Sequence, residues 1–319
     1  MRVAVIDNIH PVLAEELTRA GHQCTAMFHL EQQELIGALQ NMEGVIVRSK
    51  LLKHDVLREL KDLRFIGRVG AGMENIDRAY CEKNDISLFN SPEGNRDGVG
   101  EMCVLQCLML MKHVMRADAQ VRRGLWLREE NRGSDLQGKT VGIIGFGNMG
   151  SSFAAKLKGF DVKILAHDTL KKGFGSDDVE ESELDRIFNE SDVISLHLPL
   201  NNETRQYADR NFFDQIEKPV YFLNTSRGAI VDTEALIDAI DNGKVIGAGL
   251  DVLEFERPDL CGLDPTMKPA IQERLFSHER ILLTPHIAGV THEGARKMAA
   301  VLARKIIDAF PQEKVGTSS

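Results

Sequence analysis

Three glycines with a regular spacing lie between an apolar run and a helix-like segment in the middle of the chain. Gly145, Gly147 and Gly150 form the pattern G-x-G-x-x-G. Glycine at these places permits a tight turn, lets the backbone approach a pyrophosphate closely and lets the following helix pack on the strand. The pattern therefore predicts a strand, a phosphate-binding loop and a helix.

An acidic residue follows at the end of the next apolar run. Asp168 ends the segment KILAHD, about 20 residues after the glycines, where a carboxylate can accept hydrogen bonds from the ribose hydroxyls of NAD. Its charge would also repel the 2′-phosphate of NADP, which favours NAD. Alone, the glycines could form only a tight turn and Asp168 could be a solvated strand-end acid. Their order in one strand–helix–strand unit favours a dinucleotide site.

Short β-branched runs alternate with helix-like segments along the whole chain. The predicted strands are 3–6, 44–47, 64–69, 141–144, 162–166, 193–196, 220–223 and 245–248. Such alternation is typical of a parallel sheet covered by helices. Because the glycine-rich loop lies near residue 145, we predict an α/β protein with two Rossmann-like, doubly wound parallel-sheet domains, the cofactor domain being inserted in the substrate domain.

The domain boundaries follow from the segments between the two series of strands. We predict that residues 1–98 and 290–319 form a substrate-binding domain and residues 99–289 an NAD-binding domain. Residues 98–124 are rich in Met, Leu and Val and contain no proline, which predicts one extended linking helix. Residues 291–310 have apolar residues at helical spacing and predict a final helix that can pack on the first domain.

Composition excludes several classes of function. A net charge of −9 argues against general nucleic-acid binding, which depends on Lys and Arg neutralising phosphates. No apolar run approaches the roughly 20 residues of a membrane span. The N-terminus lacks the apolar segment of a signal peptide, so we expect a cytoplasmic protein. No C-x-x-C pair occurs, and we expect reduced thiols and no metal site at the five cysteines, Cys24, Cys81, Cys103, Cys107 and Cys261.

Further segments carry a resemblance to a known family. In chain order they are VRSK at 47–50, GRVGAGMENID at 67–77, NSPEGN at 90–95, HLPLNNET, LNTSRGAIVD, GAGLDVLEFE and TPHIAGVT. Together with the glycine-rich loop they resemble the D-isomer-specific 2-hydroxyacid dehydrogenases, most closely the D-3-phosphoglycerate dehydrogenase branch. The resemblance spans nearly the whole chain. It implies hydride transfer between NAD and a small-molecule D-2-hydroxy acid or its 2-keto partner.

The resemblance implies a catalytic set of an Arg, a Glu and a His. Arg227 would hold the substrate carboxylate and polarise the keto group. His286 would exchange the hydroxyl proton, since imidazole titrates near neutral pH. Glu256 would orient His286 and favour its protonated form, although Glu254 lies two residues away and could be mistaken for it.

The resemblance also assigns binding residues. The cofactor contacts would be Gly145, Gly147, Asn148, Met149, Gly150, Asp168, His197, Pro199, Thr204, Thr225, Ser226, Arg227, Asp251 and His286, with Asp251 bonding the nicotinamide carboxamide. The substrate contacts would be Arg48, Ser49, Gly70, Ala71, Gly72, Asn95, Lys112, Arg227 and His286. Arg48 and Lys112 are candidates for binding a phosphate, and each could equally be a solvated surface charge.

The chain departs from the family pattern in two places. Asn148 stands where relatives commonly carry Arg, which would weaken pyrophosphate binding. The stretch after Glu256 is longer than is usual before the catalytic His, which leaves the shape of that loop open.

The identity of the hydroxy acid stays open. Alternatives are a glyoxylate or hydroxypyruvate reductase, a phosphite or formate dehydrogenase, and an NAD-sensing corepressor that binds peptides. Glu256 argues against formate dehydrogenase, which carries Gln there, and Asp168 argues against an NADP-preferring reductase. From the family we also expect a homodimer.

Overall fold

The computed structural model describes residues 1–257, 262–265 and 268–311. Within them the strands are β1 Arg2–Val5, β2 Gln23–Ala26, β3 Gly44–Val47, β4 Phe65–Arg68, β5 Ser87–Asn90, β6 Thr140–Ile144, β7 Lys163–His167, β8 Glu180–Glu181, β9 Val193–Leu196, β10 Val220–Asn224, β11 Val245–Leu250 and β12 Ile281–Leu283. The α helices are α1 Val12–Arg19, α2 Leu35–Leu39, α3 His54–Leu57, α4 Arg78–Lys83, α5 Pro92–Met111, α6 Val114–Arg122, α7 Asn148–Lys156, α8 Leu184–Glu190, α9 Arg210–Asp214, α10 Thr233–Asp241, α11 Pro269–Ser277 and α12 His292–Ala309. Cys261 and residues 312–319 lie outside the described residues.

The chain divides into two compact units. The first contains Met1–Asn95, the residues from Val290 onward and, in addition, Arg257 and Gly262. The second contains Arg96–Glu256 and Leu263–Gly289. The chain therefore first passes from one unit to the other after Asn95, slightly before the predicted boundary at 98/99. The reason is that α5 begins at Pro92 and its first turn belongs to the first unit.

The first unit is built on a five-stranded parallel sheet in the order β2-β1-β3-β4-β5. Its central strand β3 is buried along its whole length, as expected for a strand covered on both faces. On one face Leu13 of α1 packs with Leu302 and Ile306 of α12, so the final helix returns to this unit as predicted.

The second unit is built on a seven-stranded parallel sheet in the order β12-β11-β10-β9-β6-β7-β8. Apolar clusters cover both faces, one around Phe222 and Leu236 and the other around Cys103, Val141 and Phe153. The predicted α/β fold with two parallel sheets is therefore confirmed. Since all strands run the same way, their carboxyl ends meet at one edge, where ligands bind in such sheets.

The predicted single linking helix is wrong. Helix α5 ends at Met111 and α6 starts at Val114, and the two axes differ by 61°. His113 between them has a left-handed backbone with φ of +53°, which ends the hydrogen-bond ladder of α5. Among the described residues no single helix is long and apolar enough to span a membrane; the bent pair α5–α6 reaches that length only when both halves are combined.

Candidate active site

The glycine-rich loop joins β6 to α7 at the carboxyl edge of the second sheet. Gly145 has φ of +94°, and a Cβ there would lie 2.5 Å from the His197 carbonyl oxygen. A Cβ on Gly150 would lie 2.1 Å from the Gly145 carbonyl oxygen, whereas one on Gly147 would meet no atom within 4 Å. The loop is therefore tight on its inner side and open at Gly147, directly before the N-terminus of α7. Asn148 begins that helix, and Met149 packs on the core beneath it. The residues present thus fit a bound pyrophosphate.

Asp168 follows β7 and ties the neighbouring loop to the glycine-rich loop. Its carboxylate accepts hydrogen bonds from the backbone N–H of Phe146 at 2.8 Å and of Leu170 and Lys171 at 2.9 Å each. Burial alone would raise the pKa of Asp168, but these N–H donors and the charge of Lys171 hold the pKa below its ordinary value. A carboxylate offers about four lone-pair positions, so room remains for a ribose hydroxyl.

We expect Asp168→Ala to narrow or reverse the preference for NADH over NADPH, because it removes both a ribose acceptor and the repulsion of the 2′-phosphate. Steady-state kcat/KM for the two cofactors measures this. A matched control is Asp192→Ala, which also removes a carboxylate that accepts a backbone N–H, that of Thr140, but lies before β9 rather than after a strand. A parent enzyme that already uses both cofactors equally would show the assignment of Asp168 to be wrong.

The loop after β9 carries three further predicted cofactor residues. His197 is buried, its Nε2 lies 2.9 Å from Ser195 Oγ, and its backbone N–H donates to the carbonyl of Ile144 at the end of β6. Burial lowers the pKa of His197 to about 3, so the ring is neutral at physiological pH. Thr204 donates from its hydroxyl to the Pro199 carbonyl at 2.6 Å, which closes this loop on itself. His197 is therefore a structural neighbour of the glycine-rich loop.

The turn after β10 presents Arg227. The fully buried Asn224 organises it: its Oδ1 accepts from the N–H of Ser226 at 3.0 Å and from its hydroxyl at 2.7 Å, and its Nδ2 donates to the Arg227 carbonyl at 2.9 Å. Thr225 lies within 3.3 Å of the buried Cys103 thiol. A Cβ on Gly228 would lie 1.8 Å from the Leu253 carbonyl oxygen, so this turn packs directly against the segment after β11.

Asp251, directly after β11, holds the loop that carries His286. Its fully buried carboxylate accepts from the Thr284 hydroxyl at 2.6 Å and from the N–H of Ile287 at 2.9 Å and of Ala288 at 2.8 Å. Its carbonyl accepts from the N–H of His286 at 2.7 Å. Burial raises the pKa of Asp251 above its ordinary value, although these donors oppose it. His286 has φ of +56°, a strained conformation that persists because the hydrogen bonds around it fix the loop.

Glu256 and not Glu254 is paired with His286. Glu256 Oε2 lies 2.8 Å from His286 Nδ1, and its Oε1 accepts from the N–H of Leu253 at 2.6 Å. Glu254 accepts from the N–H and hydroxyl of Thr233 at 3.0 and 2.8 Å instead. The His286 side chain remains 29% exposed, which leaves Nε2 accessible to a substrate.

In the first unit, predicted substrate residues gather at the carboxyl edge of the sheet. Arg48 and Ser49 follow β3, and residues 70–72 follow β4. Gly70 has φ of +144°, and a Cβ there would lie 1.8 Å from Arg68 Nη1. The Asn90 amide donates to the Ala71 carbonyl at 2.7 Å, which links this loop to the end of β5. Asn95, in the first turn of α5, has a buried Oδ1 that finds no partner among the described residues.

Lys112 is placed differently from the prediction. It follows the end of α5 instead of standing on a linking helix, and its ammonium forms an ion pair with Asp135 in the second unit. The role of Lys112 as a phosphate ligand stays a prediction.

Sequence reasoning missed Arg68 and Asp7. Arg68 ends β4 in register with Val47, so it lies beside Arg48, and its Nε donates to the Arg48 carbonyl at 3.2 Å. Asp7, which follows β1, accepts hydrogen bonds from the loop after β3. A polar residue directly after a predicted parallel strand is the signal that could have found Asp7, whereas Arg68 lies inside the predicted strand 64–69 and has no such signal. Among the described residues no three His, Cys, Asp or Glu side chains gather where they could hold a metal ion.

Known proteins are similar to this chain in sequence and in structure. Residues 104–288 match the family described as D-isomer specific 2-hydroxyacid dehydrogenase, NAD binding domain. The chain is 35% identical to a hydroxypyruvate reductase of Thermotoga maritima over 87% of its own length and 88% of the relative's. It is 30% identical to the human D-3-phosphoglycerate dehydrogenase over 96% of its length, but spans only 56% of that relative. A D-lactate dehydrogenase from Aquifex aeolicus, solved with NAD and lactic acid, superposes with a TM-score of 0.81 at 28% identity, covering 97% of this chain and 95% of that one.

Proposed function

Because the chain belongs to the D-isomer-specific 2-hydroxyacid dehydrogenase family and is an NAD-dependent enzyme of that class, we propose that it reduces a phosphorylated 2-keto acid, 3-phosphohydroxypyruvate or a close analogue, to the D-2-hydroxy acid, and catalyses the reverse oxidation. The observation that carries the proposal is the pairing of His286 with Glu256 next to the Arg227 turn, together with two arginines at the carboxyl edge of the first sheet.

His286 is the proposed acid and base. In reduction its Nε2 donates a proton to the keto oxygen, and in oxidation it takes the hydroxyl proton back. Glu256 Oε2 lies 2.8 Å from His286 Nδ1, which fixes the orientation of the ring. Arg227 binds the carboxylate with its planar fork and stabilises the negative charge that develops on the keto oxygen.

NAD is the cofactor, and when bound as NADH it supplies the hydride. We propose that it is held by the residues that the sequence assigned to it in the second unit, namely Gly145, Gly147, Asn148, Met149, Gly150, Asp168, His197, Pro199, Thr204, Thr225, Ser226, Arg227, Asp251 and His286. The open side of Gly147 and the N-terminus of α7 support binding of the pyrophosphate.

Two guanidinium groups at the carboxyl edge of the first sheet support the proposal that the substrate is phosphorylated. Arg48 is exposed, and its side chain makes no hydrogen bond or ion pair with the residues that the structure describes. Arg68 lies beside it on the neighbouring strand. Arginine is well suited to phosphate because its fork can donate two parallel hydrogen bonds.

We expect 3-phosphohydroxypyruvate to be among the better substrates in a panel of 2-keto acids assayed with NADH. Arg48→Ala should raise its KM by about 10- to 100-fold, since a hydrogen bond between charged groups contributes about 1.5 to 3 kcal/mol. Arg64→Ala, an arginine that precedes β4 and stacks on Phe310, is the matched control and should leave KM unchanged. An unchanged KM in Arg48→Ala would mean that Arg48 is a surface charge that does not bind the substrate. The proposal of a phosphorylated substrate would then lose its support.

The second candidate function is reduction of the unphosphorylated acid, hydroxypyruvate or glyoxylate. It is favoured by the hydroxypyruvate reductase relative, of which the chain covers 88%. The same panel decides between them: a higher kcat/KM for the unphosphorylated acids, with no response to Arg48→Ala, would establish this alternative.

We also propose that the enzyme is a homodimer. Apolar side chains are exposed on α5, α6 and the residues after them, with Met115 exposed to 56%, Val121 to 51% and Trp126 to 76%. A group of exposed apolar side chains, such as this patch on α5, α6 and the residues after them, is typical of an interface between subunits.

Light scattering should therefore give about twice the 35.6 kDa mass of the chain at micromolar concentration. Trp126→Asp should shift the enzyme towards the monomer, whereas Leu170→Asp, at an exposed leucine outside the patch, should not. A parent enzyme that is monomeric at these concentrations would contradict the proposal.

A further inference from the structure

One buried carboxylate in the first unit has no role in the proposed reaction and yet contacts the proposed substrate loop. Asp7 follows β1 and is only 9% exposed. Strand β1 pairs in parallel with β3, with Val5 opposite Ile46, so Asp7 reaches the edge of the sheet beside the start of the loop that carries Arg48.

Asp7 bonds the backbone of three consecutive residues. Its Oδ2 accepts from the N–H of Arg48 at 2.6 Å, of Ser49 at 2.9 Å and of Lys50 at 3.2 Å, while its Oδ1 lies 3.4 Å from the Ser49 hydroxyl. Hydrogen bonds to an ionised acceptor are about twice as strong as neutral ones. One side chain therefore fixes the direction in which this loop leaves β3.

The two cations of this loop, Arg48 and Lys50, differ in what their side chains contact. Lys50 donates from its ammonium to the carbonyls of Ile6 at 2.7 Å and Phe28 at 3.3 Å, so its charge is directed into the fold. Asp7 contacts the backbone of Arg48 and not its guanidinium. The loop is thereby held by Asp7 and Lys50, while the Arg48 side chain stays exposed.

We propose that Asp7 is a positioning residue for Arg48: its carboxylate holds the loop in the conformation in which the guanidinium can bind an anionic group of the substrate. The inference rests on the proposed function, because it takes Arg48 as the phosphate ligand. Preorganisation of this kind lowers the entropy lost on binding, so it acts on substrate affinity more than on the chemical step.

The test compares Asp7→Ala and Asp7→Asn with a matched control in the same unit. Asp77 also accepts a backbone N–H, that of Tyr80 at 3.0 Å, as the N-cap of α4. Asp7→Ala should raise KM for 3-phosphohydroxypyruvate about 10-fold, while kcat and the KM for hydroxypyruvate stay within about 2-fold. Asp7→Asn keeps an oxygen acceptor without the charge and should raise that KM about 3-fold. Asp77→Ala should change the melting temperature and not KM.

A double variant distinguishes a positioning role of Asp7 from a general loss of structure. If Asp7 acts through Arg48, then Asp7→Ala in an Arg48→Ala background should change KM by less than about 2-fold, because coupled residues are not additive. The melting temperature and kcat with hydroxypyruvate report whether each variant is folded. If the alanine variant does not fold, the test is made with Asp7→Asn.

The inference on Asp7 and the proposed function are contradicted by different results. The inference is overturned if Asp7→Asn leaves KM unchanged, if KM rises equally for both keto acids, if Asp77→Ala gives the same rise, or if the double variant is additive. An unchanged KM in Arg48→Ala instead overturns the phosphate-binding part of the proposed function.

Discussion

Replacing His286 by alanine is expected to lower kcat for keto-acid reduction by about 10²- to 10⁴-fold, the usual contribution of a general acid or base. In the parent enzyme, Nδ1 is held by Glu256 and Nε2 is accessible, so the imidazole can deliver a proton to the keto oxygen. Alanine leaves only water for this step. Stopped-flow measurement of NADH oxidation would separate the chemical step from product release.

The control for this variant is cofactor binding. The glycine-rich loop and Asp168 are held by hydrogen bonds that do not involve His286. NADH should therefore bind His286→Ala within a few-fold of the parent affinity, as measured by fluorescence titration. Activity close to that of the parent would contradict the role assigned to His286.

Replacing Arg227 by alanine is expected to lower kcat and raise KM together. One guanidinium is proposed to hold the carboxylate in the ground state and to stabilise charge on the keto oxygen in the transition state, and loss of such a donor lowers kcat by about 10²- to 10³-fold. Arg227→Lys keeps the charge but not the planar fork, so it should recover part of kcat and little of KM.

The controls for Arg227 use the turn that carries it. Ser226 lies in the same turn, and its hydroxyl bonds Asn224 at 2.7 Å. Ser226→Ala therefore loosens the turn without removing the guanidinium and should have a much smaller effect on kcat. A rise in KM with an unchanged kcat in Arg227→Ala would mean that this residue binds substrate and does not stabilise the transition state.

The parallel sheets could be predicted because their strands are buried on both faces and read as short β-branched runs. Strand β3 is one example, and it lies where the sequence predicts it. Strand β2 was missed because it is an edge strand whose residues are largely exposed, so its sequence QCTA has no apolar run. The bend after α5 was missed because it occurs at Lys112 and His113, without the glycine or proline that usually marks a helix end.

The spacing of the two glutamates after β11 does not decide which of them pairs with His286. Glu254 and Glu256 are both near His286 in the predicted topology, and only the turn after β11, with Leu253 N–H bound to Glu256, directs one of them to the imidazole. The left-handed backbone of His286 has no signature in its residue type. It depends on Asp251, which lies 35 positions earlier in the chain and bonds the residues on either side of His286.

The most direct test of the proposed mechanism is kcat for reduction, measured on Glu256→Gln and Glu254→Gln beside the parent. Glu256 Oε2 lies 2.8 Å from His286 Nδ1 and orients the ring, so Glu256→Gln should lower kcat, though by less than His286→Ala does because the imidazole remains. Glu254→Gln, whose carboxylate bonds Thr233, should keep the kcat of the parent. An unchanged kcat in Glu256→Gln, or a loss of kcat in Glu254→Gln alone, would contradict the proposed pairing of carboxylate and imidazole.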